Sequence, residues 1–497
     1  MSTRNLPTCL LLLLLTLCTL PAYAHVGSKD IFEEVSKGPY KLYVTIRTPT
    51  VIPGVATVEI RSSGTLPDRI EATATPMTGP AAEHPPAPDI LQSSKEDPHF
   101  YTGTLWIMAS GSWEVRFSIH GASGSQTVAI PVPASALSTL AMKRGVAVSL
   151  VLLGTFLVLG MAGIFGAAVR ESSLVPDATP SPAGRRKALL VTVVTFAVIC
   201  ALLWKANKWW NVEAALASMK IYRPLSMTPE LRGDSLSLIL GNPGAEQKEQ
   251  TQQRSNHDFI PDHGKMMHLY VIRQPDLDVA FHLHPTLHGS EFDLDLPQMP
   301  PGHYSLYGDV VHANGFPETL VSSIDIPTTQ HGVALAADDA GGSPAPLSAG
   351  MLGPRYPLPD GYTMVWSQPA SLTANTGYSL HFRLLDPSGA DVKDMQPYLG
   401  MAGHAAFVKT DGTVFAHVHP EGSAAMAAMM LANNGGSNSE MPEGQSMSEM
   451  PGMSTGPAVT NAVEFPYGFP SAGRYRIFVQ MKHGNTVETG AFDAMVH

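Results

Sequence analysis

The chain has 497 residues, a formal net charge of −11, 15% charged residues and three cysteines. That length exceeds one ordinary domain and predicts about three or four units. The acidic balance and the lack of a basic stripe exclude nucleic-acid binding as the main role, and three cysteines do not make a disulfide scaffold.

Residues 1–24 read as a secretory signal: Arg4, a leucine-rich run from Leu10 to Leu17, and Ala22-Tyr23-Ala24 as a small-x-small cleavage site. Residues 25–140 alternate apolar and polar positions in short runs such as Tyr40 to Ile46 and Trp113 to Ile119, the pattern of an antiparallel β-sandwich. Residues 146–169 are apolar and long enough to span a bilayer, and 188–208 form a second span. The connector 170–187 carries Arg170, Arg185, Arg186 and Lys187, which places it in the cytoplasm. Residues 221–328 and 361–497 again read as strands, joined by a Gly/Ala/Pro-rich linker at 330–359. The second of these domains carries a Gly/Ser/Met-rich insertion at 421–461, expected to be mobile. The predicted fold class is mainly β: three exported antiparallel β-sandwich domains plus a two-helix transmembrane hairpin. The predicted location is the inner (cytoplasmic) membrane, with the lipid bilayer as partner and the soluble domains on the periplasmic side.

The last two domains repeat one histidine pattern. In the first copy His268 lies on an apolar strand, His282 and His284 form His-x-His before Pro285, and His312 follows Pro-Gly-x-Tyr. In the second copy His404 begins an apolar strand, His417 and His419 form His-x-His before Pro420, and His483 follows Ala-Gly-Arg-Tyr. Most of the intervening sequence differs between copies while the imidazoles recur, so the imidazoles define the unit. Side chains two apart on a strand share a face about 6–7 Å apart, so each His-x-His presents paired imidazoles. His268 and His404 would supply a third nitrogen, and His312 and His483 a fourth ligand or a supporting partner. Asp309 stands where the second copy has Gln480, so a carboxylate is not part of the repeated site.

Cys9 and Cys18 fall in the signal and Cys200 in an apolar span, leaving the exported domains without thiols. An all-nitrogen set without thiolate suits copper(II), zinc(II) or nickel(II); copper leads on affinity order, with zinc as the alternative. The insertion adds Met426, Met429, Met430, Met441, Met447, Met450 and Met453, thioethers that select copper(I). Cleavage after Ala24 would leave His25 as the first residue, whose amine and imidazole could chelate one copper ion, with His84, His99 or His120 supplying a third nitrogen.

With Met77 and the Gly-Ser-Trp-Glu-Val strand, residues 25–140 resemble the periplasmic sandwich of the FixH and YtkA-like group, and more loosely the CopC-like copper-binding sandwiches. The C-terminal part resembles bacterial secreted or membrane proteins carrying Gln396-Pro397-Tyr398-Leu399-Gly400, Gly403-His404 and His417-Val418-His419-Pro420. These likenesses imply a metal-associated cell-envelope protein. The FixH-like resemblance implies help in oxidase assembly, and the CopC-like one periplasmic copper binding, although the CopC-like metal brace is matched only at His25.

The expected function is a membrane-anchored periplasmic copper-binding protein that buffers copper or passes it to a copper-accepting or copper-exporting envelope protein. Two alternatives stay open: a copper-dependent redox enzyme, and a non-metal assembly or adhesion module. No paired catalytic carboxylate or aromatic platform is evident, so binding is read ahead of catalysis.

Overall fold

Strand Tyr40–Arg47 buries every second residue, the two-residue period of a strand with one covered face. In the computed structural model, residues 30–172, 174–175, 178–241, 255–330, 332–433 and 459–497 are described. The protein is mainly β, with six antiparallel sheets. They pair into three sandwiches. The first, within residues 30–134, closes a core that includes Ile46, Ile60, Phe117 and Ile130 between a five-stranded and a four-stranded sheet. The second and third contain the two histidine repeats and have their own cores, around Leu238, Phe292 and Leu306 and around Trp366, Phe382 and Phe492.

The repeats also pack against each other, for a reason visible in their strands. In His268–Gln274, Leu269 and Val271 enter their own sandwich core, while Tyr270 and Ile272 point the other way. In His404–Lys409, Ala405 and Phe407 face the core, and Ala406 and Val408 the other side. These outward residues meet in a second apolar cluster with Ala280, Tyr307, Phe415 and Phe478, where the rings of Tyr307 and Phe415 stack at 4.1 Å. Strands covered on both faces lose the polar alternation of a half-exposed sheet. Arg476 ties the same seam. It holds Asp493 through Nε and Nη2 at 2.9 and 3.0 Å, and Nη1 donates to the carbonyls of Leu277 at 3.1 Å and Ala345 at 2.8 Å.

Two expectations about the connecting segments need correction. The stretch 330–359 is not a passive linker, because Ala340–Gly342 pairs with Ala280–Leu283 and Arg355–Pro357 pairs with Thr363–Ser367. The insertion after His419 begins as an ordered helix, Met426–Asn433. There Ala432 and Leu431 pack on Met77 and Ala129 of the first sandwich, and the Asn433 amide bonds Ala129 on both sides of its peptide. Just before it, Gly422 bridges to Glu33, and Ser423 exchanges hydrogen bonds with Phe32.

The segment 135–222 forms a separate unit containing two apolar helices, Arg144–Glu171 and Pro182–Met219. Both are long and apolar enough to cross a membrane. The second exceeds its predicted bounds at each end. Ser181 caps it by accepting from Gly184 N–H with Pro182 in the first turn, and good helix formers after Lys205 carry it to Met219. The helices touch at small residues: a side chain on Gly166 would collide with Thr192.

Candidate metal centre

The same parity that builds the seam places the histidines. His268 shares a face with Tyr270 and Ile272, His404 with Ala406 and Val408, His282 with Ala280, and His417 with Phe415, so all four point at the opposite repeat. The two histidine sets therefore form one cluster. Ring centroids lie 5.3 Å apart for His268 and His417, 5.5 Å for His282 and His417, and 5.8 Å for His282 and His404. His284 and His419 complete it at 4.6 and 4.5 Å from His282 and His417. These His-x-His separations are shorter than a continuous strand gives, because the strands end at Leu283 and Val418, between the two histidines.

A seventh imidazole, His263, joins at 4.9 Å from His419 and 5.4 Å from His404. It sits in a two-residue turn closed by mutual backbone hydrogen bonds between Asp262 and Lys265, with His263 and Gly264 both at positive φ. The second repeat builds the same turn at Tyr398 to Met401, with Leu399 and Gly400 at positive φ. Pro-x-x-Gly followed four residues later by histidine occurs in both copies, at Pro261 to His268 and Pro397 to His404. That shared motif was the available signal for this turn, and it pairs His263 with Leu399.

Each repeat also orients the other's imidazoles. Asp309 lies opposite His268 in its sheet and accepts from His417 Nδ1–H at 3.2 Å, while Gln480 lies opposite His404 and accepts from His282 Nδ1–H at 2.8 Å. The carboxylate is not repeated, as the sequence indicates, yet the position is used in both copies, as a carboxylate in one and an amide in the other. Tyr398 donates its hydroxyl to the Asp338 carbonyl at 2.9 Å and stands 3.1 Å from His282 Nδ1. His284 Nδ1–H donates to Asp339 at 2.9 Å and His268 Nε2–H to the Asp262 carbonyl at 3.1 Å.

These outer bonds fix tautomers. With His268 protonated on Nε2 and His282 on Nδ1, the inner atoms His268 Nδ1 and His282 Nε2 are both lone pairs, yet they face each other at 3.1 Å. Two acceptors at that distance repel unless a cation lies beside both. About 3 Å is also the separation of two nitrogens that each ligate one ion at ~2.0–2.1 Å. Nearby, His404 Nδ1 and His417 Nε2 stand 3.0 Å apart. The Nε2 atoms of His284 and His404 are buried without a hydrogen-bond partner, and neither nitrogen of His419 or His263 has a partner of good geometry, although backbone of Ala424 and Leu399 lies near. Within the cluster, and among the described residues, three ligand groups have atoms mutually within 4.8 Å: His268, His282 and His417; His404, His417 and His419; and Asp262, His263 and His419.

Burial, and secondarily repulsion from neighbouring imidazoles, holds His268, His282, His404 and His419 well below the ordinary histidine value of 6.5. Burial likewise lowers His263, and it lowers His284 despite Asp339. These six imidazoles are thus set to be neutral, the metal-ligating form.

His312 and His483 are not in the cluster, which corrects their expected place as fourth ligands or supporting partners of the repeated site. His312 lies between Asp258, 2.8 Å from Nδ1, and Glu318, 2.9 Å from Nε2, and is a buried ion-pair hub. His483 stands with Glu488 and Asp360 at the far end of the second repeat's hairpin. His99 and His120 bond locally to the Ser62 carbonyl and the Ser125 hydroxyl, and His84 lies exposed in the first sandwich. His25, Met441, Met447, Met450 and Met453 lie outside the described residues.

Residues 357–497 match the family model described as Domain of unknown function (DUF8832). No curated protein matches the chain. Among solved structures, the chain is similar to an ICAM-5 D1–D4 ectodomain fragment, at 7% identity over 90% of this chain and 74% of that one, with a TM-score of 0.15. A bacterial ice-binding adhesin involved in host cell surface retention matches at 6% identity over 93% and 99%, with a TM-score of 0.14. Salmonella alpha-2-macroglobulin matches at 9% identity over 96% of this chain and 24% of that one, with a TM-score of 0.20.

Proposed function

We propose that this chain is a membrane-anchored periplasmic metal-binding protein whose seven-histidine cluster holds copper and buffers it or passes it to another envelope protein. The observation that carries the reading is the pair of facing acceptor nitrogens, His268 Nδ1 and His282 Nε2, in a buried cluster with further unpartnered imidazole nitrogens. A purely structural cluster would close its hydrogen bonds, because an unpaired buried polar group costs about 1–3 kcal/mol. Copper is favoured over zinc by the affinity order for nitrogen sites without thiolate. Asp309 and Gln480 would hold the ligand rings in register, as outer partners of metal-bound histidines do. The two apolar helices support the membrane anchor, and the signal-like leader supports the periplasmic side.

The test is copper titration of the metal-stripped, full-length protein in detergent, with metal analysis after desalting. The wild type is expected to retain copper. His282→Gln and His417→Gln should each weaken retention at least tenfold, and Asp309→Asn by roughly 10–100-fold. Failure to retain copper, or unchanged retention in both histidine variants, overturns the proposal. Retention of zinc in preference to copper from an equimolar mixture overturns the choice of metal.

A further inference from the structure

The two repeats end their long hairpins in the same way, and the comparison isolates one corner that is left open. In the first repeat, strand Gly302–His312 ends at a histidine that meets Glu318 from the returning strand Pro317–Ile326. In the second, strand Gly473–His483 ends at a histidine that meets Glu488 from the returning strand Thr486–Val496. Each corner adds an aspartate from outside the hairpin, Asp258 in one and Asp360 in the other.

The first corner is closed. Its carboxylates take opposite ring nitrogens, so the imidazolium lies between them and one N–H serves each. The second corner has the same groups in a different arrangement. Glu488 Oε1 and Asp360 Oδ2 both approach His483 Nε2, at 3.3 and 3.7 Å, so two anions converge on an atom with at most one proton to donate. The three ligand atoms lie mutually within 4.8 Å. Among the described residues, neither carboxylate has a lysine or arginine in ion-pair range, so His483 is the one basic side chain that faces both of them. The imidazole is held in place by Tyr362, whose ring stacks on it at 4.1 Å. His483 and Glu488 are buried while Asp360 is exposed, which leaves one side open to solvent.

We propose that Asp360, His483 and Glu488 form a second cation site, separate from the histidine cluster, that takes a divalent ion of the manganese or zinc class. One imidazole and two carboxylates are a harder donor set than the all-nitrogen cluster, and the open side leaves room for water to complete the coordination. Manganese separates the two sites, because it stands lowest in the affinity order for divalent first-row metals and favours oxygen donors.

The experiment uses metal-stripped, full-length protein in detergent and follows free aqueous manganese by electron paramagnetic resonance during titration. The expected result is one manganese bound by the wild type and at least tenfold weaker binding in Asp360→Asn and in Glu488→Gln. Asp360 is exposed, so its variant keeps the fold and its loss of binding reports the site. The double variant His282→Gln/His417→Gln, and Asp258→Asn at the closed corner, should bind manganese as the wild type does. No depletion of the free signal by wild type, undiminished binding in both carboxylate variants, or loss of binding in the double histidine variant would each overturn the proposal.

Discussion

Imidazoles in this chain do three jobs that are set by what lies on their two nitrogens. In the cluster, outer acceptors such as Asp309, Gln480 and Asp339 each take one N–H and leave a lone pair facing inward. At His312 both nitrogens meet carboxylates, so the ring is a structural cation. At His483 two carboxylates share one nitrogen. Sequence spacing found His268, His282, His284, His404, His417 and His419 but put His312 and His483 with them, because repetition shows that a residue recurs and not what surrounds it. Partners such as Asp258 and Asp360 come from outside the hairpins, and no local pattern names them. For His312, burial pulls the value down, but the bonds and charges of Asp258 and Glu318 outweigh it and raise it above 6.5. A raised folded value means the ion pair contributes fully below 6.5 and is lost as pH climbs through the raised value. Asp258→Asn should therefore cost ~1.5–3 kcal/mol at mildly acid pH, with the deficit closing as the solution becomes alkaline. Urea unfolding of metal-free protein at several pH values checks this, and a deficit that widens with pH would refute the assignment.

Among the elements, the segment after His419 departs most from expectation. Composition read 421–461 as mobile, whereas its residues 421–433 are ordered and include a helix. Its order comes from elsewhere: Glu33 accepts from Ala424 N–H at 2.7 Å, Asp262 accepts from Ala427 N–H at 2.7 Å, and Met77 receives Leu431. Such support is tertiary and invisible to local propensity. Asp262 is adjacent to His263, so the turn that presents the seventh imidazole also anchors the helix. Gly422 has φ of 152°, and a side chain there would strike the Phe32 carbonyl and the Glu33 carboxylate. Gly422→Ala should cost about 1–3 kcal/mol through overpacking and should speed hydrogen exchange over 421–433 with little change in the core of the first sandwich. Unchanged exchange in that segment would show that the docking does not depend on this close approach.

At the scale of the molecule, the mainly β class, the two apolar helices and the duplicated histidine pattern were legible in the sequence. The docking of the two repeats was only partly so. Met-His-Leu-Tyr-Val-Ile and His-Ala-Ala-Phe-Val are apolar on both faces, a sign that a second surface covers each strand, but nothing in either run says that the cover is the other copy. If copper joins ligands from both repeats, it binds the docked state and not the separated one. At a free concentration about 100 times its dissociation constant, one ion would add roughly 2.7 kcal/mol to that state. Hydrogen exchange should then slow in both Ala280–Leu283 and Phe415–Val418 on adding copper and recover with a chelator. Protection of one repeat alone would mean that no ion bridges them.

Asp309 and Gln480 have a further consequence for inheritance. Duplication ordinarily supplies a spare, and a spare can decay without penalty. Here each copy holds the other's imidazole in place, Asp309 for His417 and Gln480 for His282, so neither copy is complete alone. A lesion at either position in one half is therefore felt at an imidazole of the other.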